Sequence, residues 1–584
     1  MATGSRSRTG CLTCRIRKKK CDEQRPVCQT CHSSELTCYG YSAPLPNWYT
    51  NKPNWEEVKK SDEARAIQAR AETRYKIRRK AALKKADSNC CAIPVNTRDG
   101  DDRLDHHSYR SLSDLVVHNI STIAATSSRV AVTPNTWQLC PETIWWDSAI
   151  SNLAPATQTS AGQDTRLLTM FLEVIHPITH GFHPLLSRRD RSWMLNRLVS
   201  DSALYSAALS VSACFDHSLT QPPRNDEIGI CAKVRELQSI TMNQLQTRIH
   251  AFVTEKNLSL PEFVATGIQL LDVVLNLINL EIFSMLQGHW EIHHRAARIL
   301  LNHIEILSLS KIGPSVGPKT SAIEFVLSML PPTDDRRRSM EFCITNYVWI
   351  DVLATATFGL ASYTPSAFDY LGLLQLGQIK PQNAMGCQGW IMAIVLRIAT
   401  LEQWRMTWNM QTCTSSAIAE LIQRGNQLAE NLRFGIEKLE HEGDQASASS
   451  ALSLKEDCRL VSMLWAYAAQ VFLQVTMLGV GQTRSCIDQM IIRTVLQKLE
   501  ELPTRLVIRV CWPYTIAGCM SIVEYHGRFR QIVARTMQQS QPPGMTWKGL
   551  MVMEECWRLR QIRGNSNVGW REAMESLDAR VLLI

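Results

Sequence analysis

The sequence predicts a mainly α-helical protein: a small cysteine-held module at the N-terminus, then a large all-α domain. Two observations lead there. Cys11, Cys14, Cys21, Cys28, Cys31 and Cys38 fall within the first 40 residues as two copies of one unit, offset by 17 residues. From about residue 161 to 584, apolar residues recur at helical spacing in one segment after another.

Each N-terminal unit is a Cys-x-x-Cys pair, six intervening residues and a third cysteine. Structural zinc is four-coordinate and prefers thiolate sulfur. One zinc held by four of these cysteines strands two thiols, and two separate four-sulfur sites need eight ligands. Six thiolates fill eight positions when two of them bridge, and by the repeat the bridging pair is Cys11 and Cys28. Two zinc ions and six thiolates sum to about −2, which nearby Lys and Arg offset. A module of about 30 residues cannot bury a useful core, so metal binding must supply its folding energy. Disulfides are the competing reading. They imply secretion, and residues 1–40 contain no apolar signal-peptide core.

The two units match in metal and differ in charge. Between Cys14 and Cys21 lie Arg15, Ile16, Arg17, Lys18, Lys19 and Lys20; between Cys31 and Cys38 there is no Lys or Arg. Only the first half suits a phosphate backbone. Each cysteine pair can open a short helix, and modules of this kind place such a helix in the major groove of DNA. A Lys or Arg donating to guanine O6 and N7 is the commonest specific base contact.

The stretch "CLTCRIRKKKCDEQRPVCQTCHSSELTC", with Pro26 two residues before the fourth cysteine, resembles the fungal-type Zn(2)-C6 binuclear zinc cluster transcription factors throughout. The resemblance implies that Cys11, Cys14, Cys21 and Cys28 hold one zinc ion, and that Cys28, Cys31, Cys38 and Cys11 hold the other. It implies Lys18 as the main base reader, helped by backbone carbonyls near Arg17 and Lys18, on a CGG-like half-site of double-stranded DNA. Arg15, Lys19 and Lys20 then read as phosphate contacts, which position without specifying.

Charge distribution agrees. Of 63 basic and 54 acidic residues, 20 and 9 lie in residues 1–88, leaving 43 and 45 for the rest. The excess positive charge is therefore local, as nucleic-acid binding requires. The other 13 cysteines are scattered from Cys90 to Cys556 without ligand spacing and read as buried thiols in a reducing compartment. With basic clusters at Arg17–Lys20 and Arg78–Lys80 and no secretory signal, the expected location is the nucleus.

The expected organisation follows the chain: a cluster domain at 1–40, a linker and basic helix at 41–88, a mostly irregular connector at 89–160 and an α-helical regulatory domain at 161–584. Trp55–Lys85 is free of Gly and Pro and reads as a helix. Its apolar residues do not hold a/d spacing, so it reads as a solvated basic helix rather than a zipper. Asp190 is placed to cap a helix whose apolar side includes Trp193, Met194, Leu198 and Leu204. Helical periodicity recurs at 226–255, 263–286, 288–308, 340–358, 388–406, 416–440 and 459–478. Only Leu506–Cys511 reads as strand. Breaks at 310–320, 331–335, 441–453 and 538–544 mark loops. Leu460–Thr483 carries no charge over a length that could cross a bilayer, but its Ser, Thr and Gln content and its apolar neighbours make it a core helix, with no membrane partner. "HWEIHHRAARILL", "YVWIDVLATATFG" and "GWREAMESLDARVLLI", with Trp48 after "CYGY", resemble one subfamily, the type 2 fungal-specific transcription factors.

Two enzyme-like motifs do not hold up. "GPSVG" at 313–317 follows a helix, whereas a nucleophile elbow needs a strand before its serine. His289 and His293 share a helix face near Glu291, but a zinc protease needs Glu directly after the first His, and Trp290 stands there. His289, His293 and His294 read as structural, and the chain as no enzyme. The expected function is sequence-specific transcription regulation of a fungal metabolic or secondary-metabolite gene set. Activation is favoured because most factors it resembles are activators. A homodimer on paired half-sites fits a cluster that reads few bases, and the helical domain would engage the transcription machinery or co-regulators. The alternative is a zinc-stabilised scaffold that binds nucleic acid without sequence preference.

Overall fold

The computed structural model describes residues 10–17, 21–22, 24–25, 27–32, 37–40, 58 and 64 in the N-terminal part. In the remainder it describes 160–183, 188–220, 232–254, 257–283, 290–312, 321–359, 368–408, 414–444, 450–478, 489–538, 544–563 and 568–584. Two compact units result, Met1–Leu104 and Asp105–Ile584. In the first, α1 (Leu12–Ile16) and α2 (Gln29–His32) are single turns opened by the two cysteine pairs. Of the expected helix at 55–85, Val58 and Ala64 are helical and buried; the rest of it, and the connector at 89–159, lie outside the described residues.

The second unit is all-helical among its described residues. α3 (Ser160–Met170) continues through a π turn into α4 (His176–Thr179), followed by α5 (Arg188–Val199), α6 (Ser202–Thr220) and α7 (Ala232–Thr254). Next come α8 (Leu260–Phe283), α9 (Trp290–Ile312), α10 (Ala322–Met329), α11 (Asp335–Phe358), α12 (Tyr370–Gln375), α13 (Gln382–Met385) and α14 (Gly389–Met406). The chain closes with α15 (Ser415–Asp444), α16 (Ser450–Leu478), α17 (Gln489–Glu501), α18 (Cys511–Met520), α19 (Val523–Gln538), α20 (Gly544–Arg563) and α21 (Trp570–Ser576).

Sequence neighbours pair as α6 on α7, α8 on α9 and α15 on α16. A spine runs through α6, α8, α11, α14, α16, α18 and α20, each packed on the next. Spine helices are apolar on most sides because they have neighbours on most sides. α11 is buried almost continuously from Phe342 to Thr357. Aromatic rings tie the layers together: Trp349 meets Trp465 edge-on, Trp465 stacks on Trp512 with ring centres 5.2 Å apart, and Phe472 meets both Trp512 and Trp570.

The three segments that carried the subfamily resemblance converge. His294 Nε2 on α9 lies 2.8 Å from Asp351 Oδ1 on α11, and Arg298 Nη1 lies 3.4 Å from the same oxygen. The Tyr370 hydroxyl donates to the other Asp351 oxygen. Asp351 is 1% exposed. Burial opposes its charge, yet the His294, Arg298 and Tyr370 contacts hold the carboxyl below the usual carboxylate range. From the C-terminal segment, the Trp570 indole and Arg571 Nε donate to the Thr357 carbonyl at 3.0 and 2.9 Å. Arg571 also makes a bidentate pair with buried Glu402 at 2.7 and 2.8 Å. Trp290 Nε1 closes the ring by donating to the Arg580 carbonyl at 2.7 Å.

Four expectations are corrected. Leu506–Cys511 is not a strand: Thr504–Val510 is a 3-10 helix that runs into α18. No strand edge is present beside it among the described residues, so a 3-10 turn satisfies its backbone locally while burying Leu506, Val507 and Val510. Asp190 does not cap α5, which begins at Arg188; it sits in the first turn and pairs with Arg338. Leu204 belongs to the next helix, where Asp201 Oδ1 accepts the Ala203 and Leu204 amides at 3.0 and 3.1 Å. The loop at 441–453 is shorter than expected, because α15 runs to Asp444 and α16 starts at Ser450.

Among the described residues, two helices are long and apolar enough to cross a membrane, Leu260–Phe283 and Leu454–Met477. Their apolar windows are 78% and 72% buried within the domain, so the surface they would offer lipid already faces other helices. Residues 479–483 of the charge-free run lie outside the described residues.

Asp351→Ala should destabilise the full-length chain by about 3–5 kcal/mol, because it strands His294 and Arg298 in the interior. Denaturant unfolding followed by circular dichroism measures this, and a loss under about 0.5 kcal/mol, no more than an ordinary surface substitution causes, would contradict the network. A second expectation concerns pH. Burial, with the neighbouring His183 and Arg338 charges respectively, lowers His176 to about 3 and His183 to about 4. Stability from these groups is full above the unfolded value of about 6.5 and is lost progressively as pH falls toward their folded values. Each contributes up to about 1.4 kcal/mol per pH unit in that window. The double variant His176→Gln, His183→Gln should flatten stability against pH between about 6.5 and 5; an unchanged slope would contradict the assignment.

Candidate metal centre and nucleic-acid interface

Cysteine supplies both the interior and the helix starts of the N-terminal module. Cys11, Cys14, Cys28 and Cys31 are no more than 1% exposed, and Cys21 and Cys38 pack against them. The Cys11 sulfur accepts the Cys14 amide at 3.4 Å, and the Cys28 sulfur accepts the Cys31 amide at 3.3 Å. These are the same bond in each copy of the repeat. The sulfur serves as N-cap of a turn too short to persist alone. Gly10 is packed so closely that a Cβ there would lie 2.9 Å from Cys21 Cβ.

The sulfurs meet at distances that suit a metal. Among pairs that would share a metal, Cys11 lies 3.6 Å from Cys28 and 3.7 Å from Cys31, and Cys14 lies 3.7 Å from Cys28. A tetrahedral zinc with sulfur at about 2.3 Å sets its ligands about 3.8 Å apart. Two four-sulfur groups form, each with all sulfurs within 4.8 Å of one another: Cys11, Cys14, Cys21 and Cys28, and Cys11, Cys28, Cys31 and Cys38. Cys11 and Cys28 are common to both. Burial pushes the thiols of Cys11, Cys14 and Cys31 up, the last to about 12. Neutral thiols buried this deeply are poor nucleophiles, whereas the donor set suits a thiophilic metal. Among the described residues, no other group of His, Cys, Asp or Glu side chains has metal-binding geometry.

The basic segment leaves α1. Arg15 is exposed on that helix, and Arg17 is half-buried at its C-cap, its amide donating to the Thr13 carbonyl at 3.1 Å. Lys18, Lys19 and Lys20 lie outside the described residues. Of the enzyme-like motifs, His294 is committed to Asp351 and His293 lies 3.8 Å from Glu281. His289 and Ser315 lie outside the described residues.

Sequence reasoning passed over three side chains that hold the module together. The Asp22 carboxylate accepts the Gln29 and Thr30 amides, each at 2.9 Å, and the Thr30 hydroxyl at 2.8 Å. The Thr30 amide leads these contacts in holding Asp22 well below the usual carboxylate range. Thr13, fully buried, donates to the Thr37 carbonyl at 2.8 Å and accepts the Tyr39 amide at 3.1 Å. The signal was available: the 17-residue offset of the cysteines also relates Thr13 to Thr30.

Residues 9–47 match the fungal Zn(2)-Cys(6) binuclear cluster domain, a module that holds two zinc ions. Residues 166–584 match the fungal-specific transcription factor domain. Similar proteins include transcription factor dibT of Pestalotiopsis microspora, 23% identical over the whole of both chains. Pestheic acid cluster transcriptional regulator 3 of Pestalotiopsis fici and ustiloxin B cluster transcription factor ustR of Aspergillus flavus are each 24% identical, again over the whole of both chains. No solved structure matches. The large helical domain and the two-zinc cluster together place the chain in the fungal-specific transcription factor family, as a DNA-binding regulator of transcription.

Proposed function

We propose that the chain activates a fungal metabolic or secondary-metabolite gene set from the nucleus, by reading CGG-like half-sites through its six-cysteine cluster. The observation that carries this reading is an asymmetry. The sulfurs of both repeats gather into one cluster, while of the two six-residue spacers only the one between Cys14 and Cys21 carries basic residues. One half thus faces phosphate and the other completes the fold. Cys11, Cys14, Cys21 and Cys28 hold one zinc ion and Cys11, Cys28, Cys31 and Cys38 the other. When bound, the ions supply the folding energy that so short a module lacks. Lys18 donates to guanine O6 and N7. Arg15, Arg17, Lys19 and Lys20 follow the backbone, and Arg17 and Lys18 also bring carbonyls near the bases.

Two of the similar proteins are named for the pestheic acid and ustiloxin B clusters, which supports a gene-cluster target for this chain. A homodimer on paired half-sites supplies the sequence length that one cluster cannot read alone. The helical domain meets co-regulators or the transcription machinery, and it carries no catalytic role.

Lys18→Ala should cost about 1–3 kcal/mol on a duplex with CGG half-sites and should relax discrimination at the guanines. Arg15→Ala should weaken specific and scrambled duplexes alike and reduce the salt slope by about 1. Titration of the full-length variants against both duplexes checks these expectations; unchanged preference in Lys18→Ala would remove Lys18 from base reading. Cys14→Ala should lose zinc, and a variant that retained two ions would refute the ligand sets.

A further inference from the structure

The same 17-residue offset maps Cys21 onto Cys38, Thr13 onto Thr30 and Asp22 onto Tyr39. In the fold these equivalent residues meet across the repeat. The Thr30 hydroxyl on α2 donates to Asp22, the residue after the third cysteine of the first half. The Thr13 hydroxyl on α1 accepts from the amide of Tyr39, the residue after the third cysteine of the second half. Each helix is therefore fastened by its threonine to the end of the other half. The fastenings differ in kind. That of α2 uses a side chain and is exposed. That of α1 uses backbone, is fully buried at Thr13, and is reinforced by the Leu12 amide donating to the Gly40 carbonyl at 2.9 Å.

This matters because α1 is a single turn. Cys11 and Cys14 anchor it at two points, and two points define a line about which a short helix can still turn. The Thr13 bonds to Thr37 and Tyr39, beside the Leu12 bond to Gly40, hold it off that line, and the Thr13 pair is the side-chain part of that hold. Arg15 lies on α1 two residues after Thr13, and Arg17 is its C-cap, so a small rotation of α1 displaces both.

We infer that Thr13 is a positioning residue for DNA recognition. Its hydroxyl, bridging the Thr37 carbonyl and the Tyr39 amide, sets the angle at which α1 presents the basic segment. Thr30, its repeat-mate, locks the half without basic residues and has no such role. This inference rests on the basic segment reading DNA, as proposed above.

The test uses full-length protein carrying Thr13→Val, Thr13→Ser or Thr30→Val. Zinc content is measured beside affinity for a duplex with CGG half-sites and for a scrambled duplex. Thr13→Val should keep two zinc ions and lose about tenfold in specific affinity, while scrambled binding, which rests on charge, moves less than about threefold. Thr13→Ser, which keeps the hydroxyl, should restore specific affinity to within about threefold, and Thr30→Val should leave the specificity ratio within the same margin. Should Thr13→Val not hold zinc, Thr13→Ala removes the hydroxyl without pressing a second methyl against the Thr37 carbonyl, and it carries the same comparison. Unchanged specificity in the hydroxyl-free variant would overturn the inference. So would equal losses on both duplexes, an equal loss in Thr30→Val, or zinc loss in both Thr13→Val and Thr13→Ala. Failure of the underlying reading looks different: the unsubstituted protein itself would not prefer the CGG duplex.

Discussion

Sulfur packing around two shared cysteines is the constraint on which the N-terminal module depends. Cys11, Cys14, Cys28 and Cys31 form the sulfur core of the module, and Leu12 and Ile16 of α1 are the apolar side chains buried beside it. A cluster of buried thiols is a weak source of stability by itself and a strong one when it holds metal. The same sulfurs also start both helices, by accepting the Cys14 and Cys31 amides. Ligand placement, helix placement and the exit of the basic segment are thus one geometric problem. The cross-repeat bonds of Thr13, Thr30 and Asp22 complete its solution.

The helical domain depends on a different device. Its spine helices pack with little direction, as apolar contacts do, and polar contacts supply what packing leaves open. Asp351 on α11 gathers His294 and Arg298 from α9 and Tyr370 from α12. Arg571 joins the last helix to the carbonyl end of α11 and to Glu402. A buried charge with this many partners tolerates little rearrangement. That gives a physical reason why these three sequence segments stand out together.

Much of this was legible in the sequence. Cysteine spacing gave the metal framework because zinc geometry leaves few ways to use six thiols. Periodicity located the long helices from Ala232 to Leu478 because a spine helix buries a wide face. Other features were less accessible. The 3-10 turn at Thr504–Val510 shares its apolar, β-branched composition with a strand, and only the missing neighbour distinguishes them. The break between Val199 and Ser202 was hidden because Leu198 and Leu204 are both buried, on helices of different direction. Asp351 carries no sequence mark, since its partners lie 57, 53 and 19 residues away along the chain. The Thr13 and Thr30 bonds were encoded in the repeat but masked by the stronger cysteine signal.

The most direct measurement is selection of random duplex DNA by the full-length protein, with zinc and again after chelation. A CGG-like motif should be enriched, and chelation should abolish the enrichment. Zinc-dependent folding with no enriched sequence, or enrichment that survives chelation, would contradict the claim that the cysteine cluster reads DNA.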